Sequence, residues 1–219
     1  MSGGSAKMMT SIILVRHGQT AWNAVEVFRG RIDIELDETG LKQAGLLAEY
    51  LSQRKLEAVY SSPLKRAVQT AEAVARHHGL AVETTPSLND IDFGEWQGLS
   101  VQEVRIRFSE LFDTWVSNPQ WVNLPSGESL GDVRQRALAL VNEVMDRHDG
   151  KVVVLVSHRV VNKVLICALL GLDDSHFWDT RLDTCGMTTF ECTNGRFVLA
   201  EHNNTSFLEP LKQERLGDF

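Results

Sequence analysis

A chain of 219 residues with 43% hydrophobic content can bury a sizeable core, and α/β domains of this size commonly form one unit. Its formal net charge of −7 excludes nucleic acid as a partner, because that requires a basic face to neutralise phosphates. The longest apolar stretch, Val160 to Leu172, is interrupted by Asn162 and Lys163 and falls short of the roughly 20 residues that span a bilayer, which excludes a membrane protein.

Residues 1–10 open small and polar, with Met8 and Met9 as alternative starts, and are expected to be a disordered end or an expression remnant. A single domain is expected over residues 11–219. Ile12 to Val15 then form an unbroken apolar run that ends in Arg16-His17-Gly18. Such a run reads as a strand buried on both faces, and parallel sheets place their ligands just beyond the carboxyl ends of such strands. Thr39 is expected to cap a helix whose inward face is Leu41, Ala44, Leu47, Ala48 and Leu51, followed by a short strand at Leu56 to Tyr60. Ser62-Pro63 predicts the start of a second helix, with Arg66 in its first turn and Gly79 as its stop. A weak strand is expected at Ala81 to Thr84 and helical segments around Val101 to Trp115, before Pro119 and Pro125 break the chain into loop.

Ser129 predicts the start of a long amphipathic helix, which leads to Val152 to Val156, a second fully apolar strand, and to Ser157-His158. A further helix carries Val161, Val164, Leu165, Ala168 and Leu169. Asn194-Gly195 suits the tight turn of a hairpin between Met187 to Glu191 and Arg196 to Leu199. The alternation of strands and helices implies an α/β fold, a three-layer sandwich with a mostly parallel central sheet, at least one antiparallel strand and helices on both faces.

Two buried strands thus each end in a histidine, His17 and His158. If both strands lie near the middle of one sheet, both imidazoles reach one crevice, and Arg16, Arg66 and Asn23 reach it from adjoining segments. That set suits a dianion. Guanidinium forks hold two oxygens at once and neutralise charge that shifts during phosphoryl transfer. Cationic neighbours also keep an imidazole neutral, so one ring nitrogen remains free to attack phosphorus.

The Arg16-His17-Gly18 run, Ser61-Ser62-Pro63-Leu64-Lys65-Arg66, Leu88-Asn89-Asp90, Gly127-Glu128-Ser129 and Ser157-His158 together resemble the signature of the histidine phosphatase superfamily, the phosphoglycerate-mutase-like proteins. The resemblance implies that His17 becomes phosphorylated, that Arg16, Asn23, Arg66 and His158 bind phosphate, and that Asp90 is the acid that protonates the leaving alkoxide. Two positions depart from the family pattern. Asp90 stands where Glu is usual, which keeps Asp92 and Glu95 in contention as the acid, and Arg159 follows His158 where Gly is frequent, adding a charge that either binds substrate or faces solvent.

The expected activity is that of a metal-independent phosphatase acting on a small phosphomonoester such as phosphoserine, α-ribazole phosphate or a sugar phosphate, with no cofactor and no metal site. A phosphoglycerate mutase is the alternative. The short stretch from Leu99 to Gly127, where mutases carry a long insertion, favours hydrolysis; its Phe112, Trp115 and Trp121 either cover the pocket or form a satellite core. A serine hydrolase using Ser129 in Gly127-Glu128-Ser129-Leu130-Gly131 is a weaker rival, since that elbow requires a strand directly before it and the preceding residues read as loop. The expected partner is a small phosphorylated metabolite, with no membrane; a homodimer is left open. Cys167, Cys185 and Cys192 lack the paired spacing of a zinc site and read as buried reduced thiols of a cytoplasmic protein. His77, His78, His148, His176 and His202 read as surface residues.

Overall fold

The computed structural model describes residues 8–23 and 27–211. Their main elements are strands β1 (Thr10–Arg16), β2 (Ala58–Ser61), β3 (Val82–Thr84), β4 (Val152–Ser157), β5 (Met187–Thr193) and β6 (Arg196–Asn204), and helices α1 (Glu38–Leu51), α2 (Lys65–Arg76), α3 (Val101–Arg107), α4 (Ser109–Ser117), α5 (Leu130–Arg147) and α6 (Arg159–Leu169). One sheet holds the strands in the order β3-β2-β4-β1-β5-β6. The first four run parallel, and β5 and β6 are each antiparallel to their inner neighbour. The chain makes its hairpin turn at Asn194 and Gly195, both at positive φ (53° and 76°), as the geometry of a tight turn between twisted strands requires.

The period-two alternation of a strand divides β1 and β4 between two apolar layers. Ile12, Leu14, Val153 and Leu155 face α5, α6 and an aromatic cluster around Trp96 and Trp115, while Ile13, Val15, Val154 and Val156 face α1 and α2. The two fully apolar strands, β1 and β4, therefore lie side by side at the centre of a three-layer sandwich, and among the described residues no helix is long and apolar enough to cross a membrane. Cys167, Cys185 and Cys192 are all buried.

Several local expectations change. Of the segment 1–10, residues 1–7 lie outside the described residues, and Thr10 is already buried within β1. Helix α1 is capped by Asp37, whose Oδ1 accepts the Gly40 N–H at 2.8 Å, rather than by Thr39. Its inward stripe starts at Gly40 and Gln43, leaving Leu41 exposed at 52%. Helix α2 begins at Lys65, two residues later than Ser62-Pro63 suggests, because Leu64 stays extended and the Lys65 N–H donates to Asp33 Oδ1 at 2.8 Å. A carboxylate from a distant loop thus satisfies one of the donors that the first turn of a helix leaves without an intrahelical partner. His148 is buried rather than superficial, with Nε2 3.0 Å from the Tyr60 hydroxyl.

Candidate active site

The parallel register pairs Arg16 of β1 with Ser157 of β4, so the next residue on each strand, His17 or His158, leaves the sheet at the same level. Their ring centroids are 5.1 Å apart. The His17 N–H donates to the Ser157 carbonyl at 3.0 Å, which locks the two strand ends together. His17 Nδ1 lies 2.7 Å from the Gly18 carbonyl. A carbonyl only accepts, so Nδ1 carries the proton and Nε2 keeps its lone pair.

The turn after His17 is held by close packing. The Gly18 N–H donates to Thr70 Oγ1 at 3.1 Å and the Gln19 N–H to Gln43 Oε1 at 2.8 Å. A Cβ on Gly18 would sit 2.8 Å from the Gly40 carbonyl oxygen, so glycine alone lets this turn lie against the start of α1. Asn23 is oriented by Thr20, whose N–H and hydroxyl both donate to Asn23 Oδ1 at 2.9 and 2.8 Å. Its amide donors are left for another acceptor.

Arg66 is fully buried in the first turn of α2. Its Nη1 donates to the Ile32 carbonyl and its Nη2 to the Gly30 carbonyl, both at 2.8 Å, and Nη2 lies 3.4 Å from Asp90 Oδ2. Arg16, also buried, donates from Nη1 to the Leu182 carbonyl at 2.6 Å. Asp90 Oδ1 accepts the Ile91 N–H at 3.0 Å, and Oδ2 faces His158 Nδ1 at 3.7 Å. Ser157 Oγ donates to the Leu88 carbonyl at 2.8 Å, tying the end of β4 to the segment that carries Asp90.

A cavity of about 40 Å³ opens at this point. His17, Arg29, Asp90 and Arg159 supply its polar lining, and Val27, Phe28, Phe93 and Val160 its apolar wall. A larger cavity, of about 290 Å³, lies near Thr10 at the opposite end of β1; its lining includes Asp146 and Asp149 but no cationic side chain, which disqualifies it as an anion site.

Burial, followed by the charges of Arg66, Arg29 and Arg16, holds the His17 imidazole well below its ordinary pKa. His158 is lowered for the same first reason, with Arg66, His17 and Arg29 adding to it. Burial acts in the opposite sense on Asp90 and outweighs Arg66 and Arg29, so its carboxyl pKa is raised. The pocket therefore combines neutral imidazoles, a carboxyl group biased toward holding its proton, and guanidinium groups, an arrangement that suits attack on an anion followed by proton donation. Among the described residues, no cluster of three or more His, Cys, Asp or Glu side chains is arranged to hold a metal ion.

The structure brings Arg16, His17, Asn23, Arg66, Asp90, His158 and Arg159 to the carboxyl end of the sheet. Glu95 does not join them: it is exposed on a 3-10 turn and absent from the cavity lining. Asp92 faces Gly94 N–H and Arg31 instead. Ser129 caps α5, its hydroxyl 2.6 Å from Asp132 Oδ2, and no strand precedes it. Phe112 and Trp115 are buried in the aromatic cluster and Trp121 is exposed at 69%, so none of the three lines the cavity.

Arg29 escapes sequence reading. It sits in the irregular segment before α1, where an arginine has no pattern to mark it, and only the fold places it on the cavity wall. Burial and the nearby Arg16 weaken its hold on a proton, while Asp90 strengthens it. An anion in the cavity relieves the repulsion among these cations.

A profile of the histidine phosphatase superfamily (branch 1) matches residues 12–205. Phosphoserine phosphatase 1 of Hydrogenobacter thermophilus is 40% identical over 200 residues, covering 91% of this chain and 95% of the relative. Among solved structures, Bacillus stearothermophilus YhfR superposes with a TM-score of 0.88 at 33% identity, covering 91% of this chain and all of its own. A mycobacterial glucosyl-3-phosphoglycerate phosphatase in complex with VO3 has a TM-score of 0.83 at 29% identity, covering 89% and 99% of the two chains. The chain belongs to the histidine phosphatase superfamily, branch 1, and is a phosphatase of that family.

Proposed function

We propose that the enzyme hydrolyses a small phosphomonoester through a phosphohistidine on His17, without a metal ion. The observation that carries this reading is the 2.7 Å contact of His17 Nδ1 with the Gly18 carbonyl, which leaves Nε2 unprotonated among Arg16, Arg29 and Arg66. Arginine forks and the Asn23 amide hold the equatorial oxygens, and His158 stands beside them. Nε2 forms a bond to phosphorus as the P–O bond to the alcohol breaks, and Asp90 gives its proton to the departing oxygen. The resulting Asp90 carboxylate then takes a proton from water, whose oxygen attacks phosphorus and breaks the N–P bond. Inorganic phosphate leaves with His17 and Asp90 restored.

Phosphoserine heads the substrate list because it appears in the name of a 40%-identical relative, and because Arg29 and Arg159 beside an apolar wall suit an alcohol that carries a carboxylate. α-Ribazole phosphate and a sugar phosphate follow. Water as the acceptor is supported by the short 99–127 stretch, which is taken up by α3, α4 and the turns around them.

The test is phosphate release from a panel of phosphomonoesters, with and without EDTA. Turnover of at least one small ester, undiminished by EDTA, is expected, since the arginines around the cavity repel a divalent cation. Activity lost in EDTA and restored by a divalent ion overturns the metal-free mechanism, and isomerisation of phosphoglycerate without phosphate release identifies a mutase instead.

A further inference from the structure

Asp90 lies on an irregular segment between the 3-10 turns Pro86–Leu88 and Gly94–Trp96. Its carboxyl carbon is bonded directly to Cβ, and among the described residues the side-chain groups that Oδ2 faces are Arg66 Nη2 at 3.4 Å and His158 Nδ1 at 3.7 Å. The placement of that oxygen therefore follows the backbone. A glutamate has an extra torsion with which to correct a displaced backbone, whereas an aspartate does not.

Besides the Ser157 hydroxyl at the Leu88 carbonyl, an ion pair holds this backbone. Arg136, on α5, donates from Nη1 to the Ser87 carbonyl at 2.8 Å and from Nη2 to the Asp90 carbonyl at 3.3 Å. The same guanidinium forks onto Glu128, with Nε to Oε1 and Nη2 to Oε2 both at 3.0 Å. Glu128 in turn clasps Asp92, accepting its N–H on Oε2 at 3.0 Å and donating its own N–H to the Asp92 carbonyl at 2.9 Å. Residues on both sides of Asp90 thus hang from the start of α5, itself fixed by the reciprocal Ser129 and Asp132 cap. A partly exposed ion pair adds little to global stability, yet this one spends its hydrogen bonds on three backbone positions of a single short segment.

We propose that Arg136 and Glu128 are positioning residues for Asp90, holding its carboxyl group at the leaving oxygen through the backbone of residues 87–92. This rests on the reading of Asp90 as the proton donor. Neither residue touches substrate; each acts through Asp90.

The experiment compares an alkyl phosphate, whose departing oxygen needs a proton, with p-nitrophenyl phosphate, whose leaving group departs readily without one. For Arg136→Met and for the near-isosteric Glu128→Gln, kcat/KM on the alkyl ester is expected to fall by about 10- to 100-fold, with less than about threefold on the nitrophenyl ester. The doubly substituted Asp90→Asn/Arg136→Met enzyme should be no slower on the alkyl ester than Asp90→Asn alone, because the pair has nothing left to position. Glu128→Gln keeps the test alive should Arg136→Met fail to fold. Equal losses on both esters, or losses that add to that of Asp90→Asn, overturn the positioning role while leaving Asp90 as the donor. If Asp90→Asn itself lacks the selective defect, the donor reading falls and the positioning role falls with it.

Discussion

The imidazoles of His17 and His158 stand 5.1 Å apart, tilted by 59°, because the residues just before them, Arg16 and Ser157, are partners in the parallel register of β1 and β4. Two protonated rings at that separation would repel, and burial disfavours the charge on each. The pair is therefore neutral near pH 7, and His17 Nε2 keeps the lone pair that the proposed phosphohistidine mechanism requires.

A covalent intermediate on an imidazole has a distinctive stability. Acid quench during turnover should release the bound phosphate, whereas alkaline quench should preserve it. His17→Ala should abolish labelling and lower kcat/KM by roughly 10³-fold or more, the scale of losing a covalent nucleophile. Near-normal turnover in His17→Ala, or an acid-stable ester lost in Ser129→Ala, would show that the nucleophile is elsewhere.

The same neutral imidazoles make stability depend on pH. The unfolded chain protonates its histidines near pH 6.5, but folded His17 and His158 have lowered pKa values, mainly through burial. Below about pH 6.5 the unfolded state therefore binds more protons, and stability declines as pH falls. Melting temperature should drop between pH 7 and pH 5. His78, His148 and His202 are shifted in the same direction, so the comparison that isolates the site is with His17→Gln/His158→Gln, whose drop should be smaller. An unchanged drop would mean that the site histidines do not contribute.

Arg66 offers a third measurement. Its two terminal nitrogens hold the Gly30 and Ile32 carbonyls while facing Asp90, a fork that lysine lacks. Arg66→Lys should lower kcat/KM by on the order of 10- to 1,000-fold, as for loss of a preorganised donor. Steady-state kinetics within twofold of the unaltered enzyme would place Arg66 outside the phosphate site.

Much of this architecture is legible in one dimension because its signals are local. The unbroken apolar runs Ile12 to Val15 and Val152 to Val156 mark strands covered on both faces, the Asn194-Gly195 turn marks the hairpin, and Ser129 with Asp132 marks the start of α5. His17 and His158 are legible because each directly follows such a run. Caps are harder. Asp33 satisfies the first turn of α2 from outside the local window, so Ser62-Pro63 alone misplaces that helix's start.

What only the tertiary structure decides are the relationships that no spacing encodes. The apolar runs imply central strands, but hydrogen-bond register alone sets their histidines at one level. Arg29 lies in an irregular segment and becomes a site residue only when that segment folds over the cavity. Arg136 carries no mark in the sequence, and only the packed structure brings its guanidinium to the carbonyls of Ser87 and Asp90. Sequence determines which faces of each element are apolar, because that periodicity is local; the approach of long polar side chains to distant backbone depends on how the packed elements cross.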